Sequence, residues 1–133
     1  MAPQNLAVLF RETALRHPDK KALFHKQNGK YRALPWKEVA AEVDAVASFL
    51  LSKGLREGDR VAILSENRPE WLITDLAALS AGAVTVPIYT SLAPSEIQYI
   101  LADSGCRWIA VSDKTLFAKV AEVQKDLPVL DAF

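Results

Sequence analysis

The chain has 133 residues, 50% hydrophobic and 24% charged, a balance that excludes a disordered tail and suits one domain able to bury a core. Sixteen basic residues offset sixteen acidic ones; with zero net charge and no basic cluster along the chain, nothing points to nucleic acid. A single cysteine excludes an internal disulfide, no signal-peptide layout opens the chain, and Asp75 interrupts the longest apolar run, so a soluble cytoplasmic protein without a transmembrane segment is expected.

Residues 5–16 place Leu6, Leu9, Phe10, Ala14 and Leu15 against Arg11, Glu12 and Arg16, an amphipathic helix that Pro18 ends. Two short strands over 22–25 and 31–34 flank Asn28-Gly29, a strong hairpin signal, and form a small antiparallel hairpin at or beside a sheet edge. Trp36, Val39, Ala40, Val43, Val46, Ala47 and Leu50 then recur at helical spacing as far as Lys53.

The stretch GDRVAILSENRPEWLITDLAALSAGAVTVPI reads as strand, helix and strand: 60–64, 69–81 and 84–88. Two strands joined by such a helix are parallel with a right-handed crossover. Asn67 followed by Glu70 fits a capping box, and Gly82 stands where the helix stops. A further helix over 94–104 carries proline in its first turn, a strand follows over 107–111, and a last helix spans 114–125. LPVLDAF reads as the approach to another strand.

Lys53-Gly54, Ala81-Gly82 and Ser104-Gly105 each precede an apolar strand, the repeated order that a parallel sheet wrapped by helices requires. The fold class expected is α/β: a partial parallel sheet flanked by helices on both faces, with a small antiparallel edge hairpin. In the helix over 70–80, Trp71, Leu72, Ile73, Leu76, Ala77, Ala78 and Leu79 leave few polar breaks. A domain this small is expected to cover one stripe of it, leaving Trp71 and Ala78 to other protein.

Ligands of open α/β sheets bind beyond the carboxyl ends of strands, here Ser65-Glu66-Asn67 and Tyr89-Thr90-Ser91. Capping and turn formation account for these residues without a ligand. His17 is assigned to the end of the first helix and His25 to an edge strand; neither has a second ligand at metal spacing. Cys106 adjoins Arg107, which would lower its pKa, although burial is the commoner state of such a cysteine. Neither GxGxxG, GxxxxGK[ST] nor GxSxG occurs. The residues by themselves define a fold and no reaction.

Three segments in order, NLAVLFRETALRHPDKKAL, ALPWKEVAAEVDAVASFLLSKGLREGDRVAILSENRPEW and LAALSAGAVTVPI, resemble the amino-terminal region of adenylate-forming acyl-CoA synthetases. VPIYTSLAPSEIQYILADSG is most similar to the long-chain fatty-acid–CoA ligase branch. One family motif matches Leu34, Trp36, Glu38 and Val39, with Pro35 in place of a capping threonine; a second is intact as Leu79, Ala81, Gly82 and Pro87.

The resemblance implies a single α/β subdomain over residues 1–133, the amino-terminal part of a larger AMP-binding domain truncated after Phe133. Its parent would use ATP, Mg²⁺ and CoA to activate a fatty acid through acyl-AMP. A peripheral membrane attachment of that parent stays open. The family's phosphate loop, ribose-binding acid and adenylation lysine would lie downstream, so no catalytic, cofactor-binding or metal residue is assigned here. The isolated piece would be inactive, pair with the rest of its parent domain, and otherwise self-associate. Two alternatives remain: a self-contained α/β nucleotide- or flavin-binding module, and a non-enzymatic interaction domain.

Overall fold

The computed structural model describes residues 5–127 and 130–132. They form five helices, an antiparallel hairpin and a parallel sheet. The chain divides into two compact units, one of Met1–Leu55 with Arg68–Ala81 and the other of Arg56–Asn67 with Gly82–Phe133.

The first unit opens with α1 (Leu6–Arg16), capped by Asn5, whose side-chain oxygen accepts from the Val8 N–H at 2.9 Å. Phe10 and Ala14 are buried, whereas Leu6, Leu9 and Leu15 stand 63%, 45% and 82% exposed. The apolar stripe of α1 is therefore narrower than its composition suggested. β1 (Lys21–Gln27) and β2 (Lys30–Pro35) pair across Asn28 and Gly29, both at positive φ, as a two-residue turn matched to strand twist requires. This hairpin is a sheet of its own, so it is not an edge of the parallel sheet.

α2 (Trp36–Ser52) starts at Pro35 without a side-chain cap. The lost cap is replaced from a distance: the Trp36 and Lys37 amides donate to the carbonyls of Lys20 and Pro18 at 3.0 Å each, satisfying donors that a helix start leaves open. α3 (Pro69–Ser80) starts at the residue the sequence suggested, but its cap is not the one expected. Pro69 occupies the first helical position, so Arg68, not Asn67, is the cap residue and offers no acceptor. Glu70 then falls one position short of the site from which it could close a capping box, and it pairs with Arg68 Nε at 2.8 Å.

The core of this unit is Phe10, Val39, Val43, Ala47, Ile73, Leu76 and Ala77, with Trp36 packed against it. The Phe10 and Trp36 rings lie 6.0 Å apart at 50°. One expectation fails here. In α3, Ile73, Leu76, Ala77 and Ala78 are buried and Trp71, Leu72 and Leu79 half-buried, so the chain itself covers this helix on most sides. The reason is that α3 meets α1, α2 and β1 together, a layer of helices that sequence periodicity does not reveal.

The second unit is built on β3 (Arg60–Leu64), β4 (Val84–Ile88), β5 (Trp108–Val111) and the two-residue β6 (Asp131–Ala132), all parallel in the order β4-β3-β5-β6. Within LPVLDAF, β6 is the strand that was anticipated; Pro128, Val129 and Phe133 lie outside the described residues. β3 is apolar on both faces, with Val61, Ala62, Ile63 and Leu64 all essentially inaccessible, the pattern of a strand covered on both sides. Pro87 sits on β4, at the sheet edge where a missing N–H is tolerated. α4 (Pro94–Ser104) and α5 (Lys114–Gln124) pack on the sheet through Ile97, Leu101, Leu116 and Val120, against Ala62, Leu64, Ile88 and Ile109.

Glu96 closes half a capping box by accepting from the Ala93 amide at 2.8 Å. Asp113 caps α5 through the Leu116 amide. Gly54, Gly82 and Gly105, each following a helix, have φ of 95°, 83° and 64°, so all three serve as the helix stops anticipated from their spacing.

Candidate functional site

Because β4, β3 and β5 are neighbours and parallel, their carboxyl ends bring Tyr89-Thr90-Ser91, Ser65-Glu66-Asn67 and Ser112-Asp113 to one edge of the sheet. The two stretches singled out in the sequence are thus adjacent, and Ser112 joins them from β5. Glu66 accepts a hydrogen bond from the Ser112 hydroxyl at 2.7 Å, and Ser112 N–H reaches the Leu64 carbonyl at 3.3 Å. Ser65 Oγ donates to the Glu66 carbonyl at 2.9 Å.

Lys119, a residue that sequence reasoning passed over, reaches this edge from α5. Its ammonium donates to the carbonyls of Thr90 and Leu92 at 2.9 and 3.0 Å. An ammonium held by two carbonyls and a carboxylate held by a hydroxyl stitch the β4–α4, β3 and β5 ends together. Lys119 lies 29 residues beyond Thr90, so local sequence offered no signal for that link.

Around Cys106, burial pushes the thiol pKa up, against smaller lowering effects from a hydrogen bond with Ser104 and from the charge of Arg60. The guanidinium that acts on it is Arg60, not the adjacent Arg107. A thiol buried and shifted upward is a poor nucleophile at neutral pH.

In the first unit, hydrogen bonding to Arg68 holds Glu70 below the usual carboxylate range; both side chains are substantially exposed, so the pair contributes little to stability. His17 ends α1 with its backbone N–H on the Thr13 carbonyl at 2.9 Å. Among the described residues, no group of three His, Cys, Asp or Glu side chains is placed to hold a metal ion. No helix among them is long and apolar enough to cross a membrane.

The model of the family described as "AMP-binding enzyme" matches residues 10–132. The chain belongs to the AMP-binding enzyme family. Among curated relatives, the long-chain-fatty-acid–CoA ligase FadD15 of Mycobacterium bovis is 33% identical over 126 residues, which cover 95% of this chain and 21% of that protein.

Among solved structures, the anthranilate CoA ligase AuaEII in complex with anthranoyl-AMP superposes with a TM-score of 0.85 at 29% identity, covering 95% of this chain and 24% of that one. The N-terminal subdomain of Klebsiella oxytoca NpsA reaches 34% identity with a TM-score of 0.75, over 83% of this chain and 27% of that one. The chain therefore spans about a fifth of the length of the curated relatives it matches. Within this AMP-binding family member, the motif residues Leu79, Ala81, Gly82 and Pro87 fall at the end of α3, its glycine stop and the edge strand β4.

Proposed function

We propose that the chain is the amino-terminal scaffold of a long-chain fatty-acid–CoA ligase, one α/β subdomain of an AMP-binding domain that continues past Phe133. The family match over residues 10–132 is the observation that carries this reading. The parent converts a fatty acid and ATP to acyl-AMP with Mg²⁺, then passes the acyl group to CoA. It acts in the cytoplasm.

The polar groups at the sheet edge do not fit a nucleotide phosphate. Lys119 is committed to two carbonyls, and Glu66 would present negative charge to a phosphate. No catalytic, cofactor or metal residue is therefore assigned, and no reaction step is routed through this segment. It supports the remainder of its domain and is inactive alone. Titration calorimetry of the 133-residue chain with Mg-ATP is expected to give no saturable heat. A micromolar site would overturn the scaffold reading in favour of a self-contained nucleotide-binding module.

In isolation the chain self-associates. Support comes from the exposed Leu6, Leu9 and Leu15 of α1, from Val84 on the edge strand β4, and from a zero net charge that offers no long-range repulsion. Sedimentation equilibrium is expected to show mass rising with concentration. A clean monomer throughout would refute self-association and leave the ligase reading untouched.

A further inference from the structure

Asn28 and Gly29 join β1 to β2 as a two-residue turn, and both stand exposed at positive φ, 50° and 78°. Among the described residues Asn28 is the only non-glycine in that region, which asparagine enters more readily than most side chains. The turn that suits the strand twist also sets a side-chain amide next to a main-chain nitrogen whose own residue has no side chain.

The chain has three asparagines, Asn5, Asn28 and Asn67, and all three are exposed. What distinguishes them is the residue that follows. Asn5 precedes Leu6 and Asn67 precedes Arg68, whose side chains crowd the approach to their own nitrogens; Asn28 precedes glycine. A Cβ built on Gly29 would meet nothing within 4 Å, so the space beside that nitrogen is open. Asn5 Oδ1 is engaged as a helix cap, accepting from the Val8 N–H. No hydrogen bond holds the Asn28 side chain among the described residues.

The charges around the turn favour a deprotonated amide. Residues 20–32 hold Lys20, Lys21, Lys26, Lys30 and Arg32 and no acidic residue, a local excess that corrects the expectation of no basic cluster. Lys26 and Lys30 flank the turn and are exposed, and nearby positive charge stabilises an anion.

We propose that Asn28 is a site of spontaneous covalent modification, losing its side-chain amide through a succinimide formed with the Gly29 nitrogen. That nitrogen gives its proton to solvent base and attacks Asn28 Cγ. The N–Cγ bond forms, the Cγ–Nδ2 bond breaks, and Nδ2 takes a proton and leaves as ammonia. Water then opens the ring. Addition at Cγ yields aspartate; addition at the main-chain carbonyl of residue 28 yields isoaspartate, with the chain running through the side chain. Water is the only co-reactant. Ring closure needs rotation about the Asn28 Cα–C bond, so the tip opens first, which disturbs the adjoining Gln27–Lys30 pair at low cost.

Either product brings a carboxylate, ionised at neutral pH, into a segment without acids. Isoaspartate also lengthens the main chain inside a turn whose length sets the strand register, on which Leu23 and Leu34 rely to reach the core of the first unit. The inference rests on the hairpin alone and holds whatever reaction the parent performs.

The test is incubation of the 133-residue chain at neutral and mildly alkaline pH, then mapping of chymotryptic peptides, which isolates His25–Tyr31. Isoaspartate is scored by enzymatic methyl transfer. Asn28 is expected to convert to aspartate and isoaspartate together, faster as pH rises, while Asn5 and Asn67 lag behind. The folded chain is expected to react within about tenfold of the urea-unfolded rate, because a hairpin tip opens at little cost. Gly29→Ala, read in the urea-unfolded chain where its φ no longer matters, is expected to slow the reaction, and it serves whether or not the variant folds. Equal rates at the three asparagines, aspartate without isoaspartate, a rate indifferent to pH, or no slowing in Gly29→Ala overturns the proposal. So does a folded rate more than about tenfold below the unfolded one, since the turn would then protect the amide.

Discussion

Replacing Leu101 with alanine is expected to remove about 3 kcal/mol of stability. Leu101 is 1% exposed on α4 and lies in the cluster with Ala62, Leu64, Ile97, Ile109, Leu116 and Val120. Loss of the isobutyl group forfeits its transfer free energy and leaves a cavity. Collapse around it is limited, because the neighbours come from a strand on one side and from α5 on the other. For a domain whose total stability is about 5–15 kcal/mol, that is a large share. Tyr99, on the same helix but 69% exposed, provides the contrast: Tyr99→Ala is expected to stay within about 0.5 kcal/mol. Urea denaturation followed by tryptophan fluorescence measures the change, with Trp108, 3% exposed on β5, reporting from the second unit beside Trp36 and Trp71 of the first. A shift below about 1 kcal/mol for Leu101→Ala would mean that α4 is not anchored through this residue.

What could be read in the sequence follows from the range of the forces involved. β3 and β4 were legible to the residue, and α4 likewise, because period and glycine stops are local signals. The cap of α3 was misplaced for a local reason too: Pro69 takes the first helical position and makes Arg68 the cap residue, which a capping pattern read by residue type alone overlooks. The cover over α3 was illegible because it comes from α1, α2 and β1 at once. At the sheet edge, Ser65, Glu66 and Thr90 were found from the rule for strand ends. Ser112 and Lys119, which engage Glu66 and Thr90, lie 46 and 29 residues from those partners and needed the strand order β4-β3-β5 to be known.

The C-terminus of α4 is expected to show strong non-additivity between Arg60 and Gly105. Gly105 sits at φ 64°, and its conformation returns the Cys106 amide to the Leu101 carbonyl at 3.1 Å. Arg60 Nε donates to the Ser104 carbonyl at 2.8 Å, Nη2 to the Gly105 carbonyl at 3.2 Å and Nη1 to the Gly58 carbonyl at 3.1 Å. A cation over the last carbonyls of a helix satisfies acceptors and complements the helix dipole.

A Cβ on Gly105 would stand 2.6 Å from Arg60 Nη2, so alanine there both strains the backbone and expels the guanidinium. Gly82→Ala isolates the backbone part: φ is 83°, and the nearest atom to a new Cβ is Glu57 Cγ at 3.3 Å, on a flexible side chain. That change is expected to cost about 1 kcal/mol. Arg60→Ala is expected to cost about 1.5 kcal/mol, the low end for hydrogen bonds to a charged group because Arg60 is exposed. Gly105→Ala combines both effects at about 2.5 kcal/mol.

The double variant is then expected to cost no more than Gly105→Ala alone, because the guanidinium has already left, giving a coupling of about 1.5 kcal/mol in a double-mutant cycle. Urea midpoints of the four proteins measure it. Simple additivity would show that the guanidinium relocates without loss, and that the Ser104 and Gly105 carbonyls at the end of α4 do not depend on it.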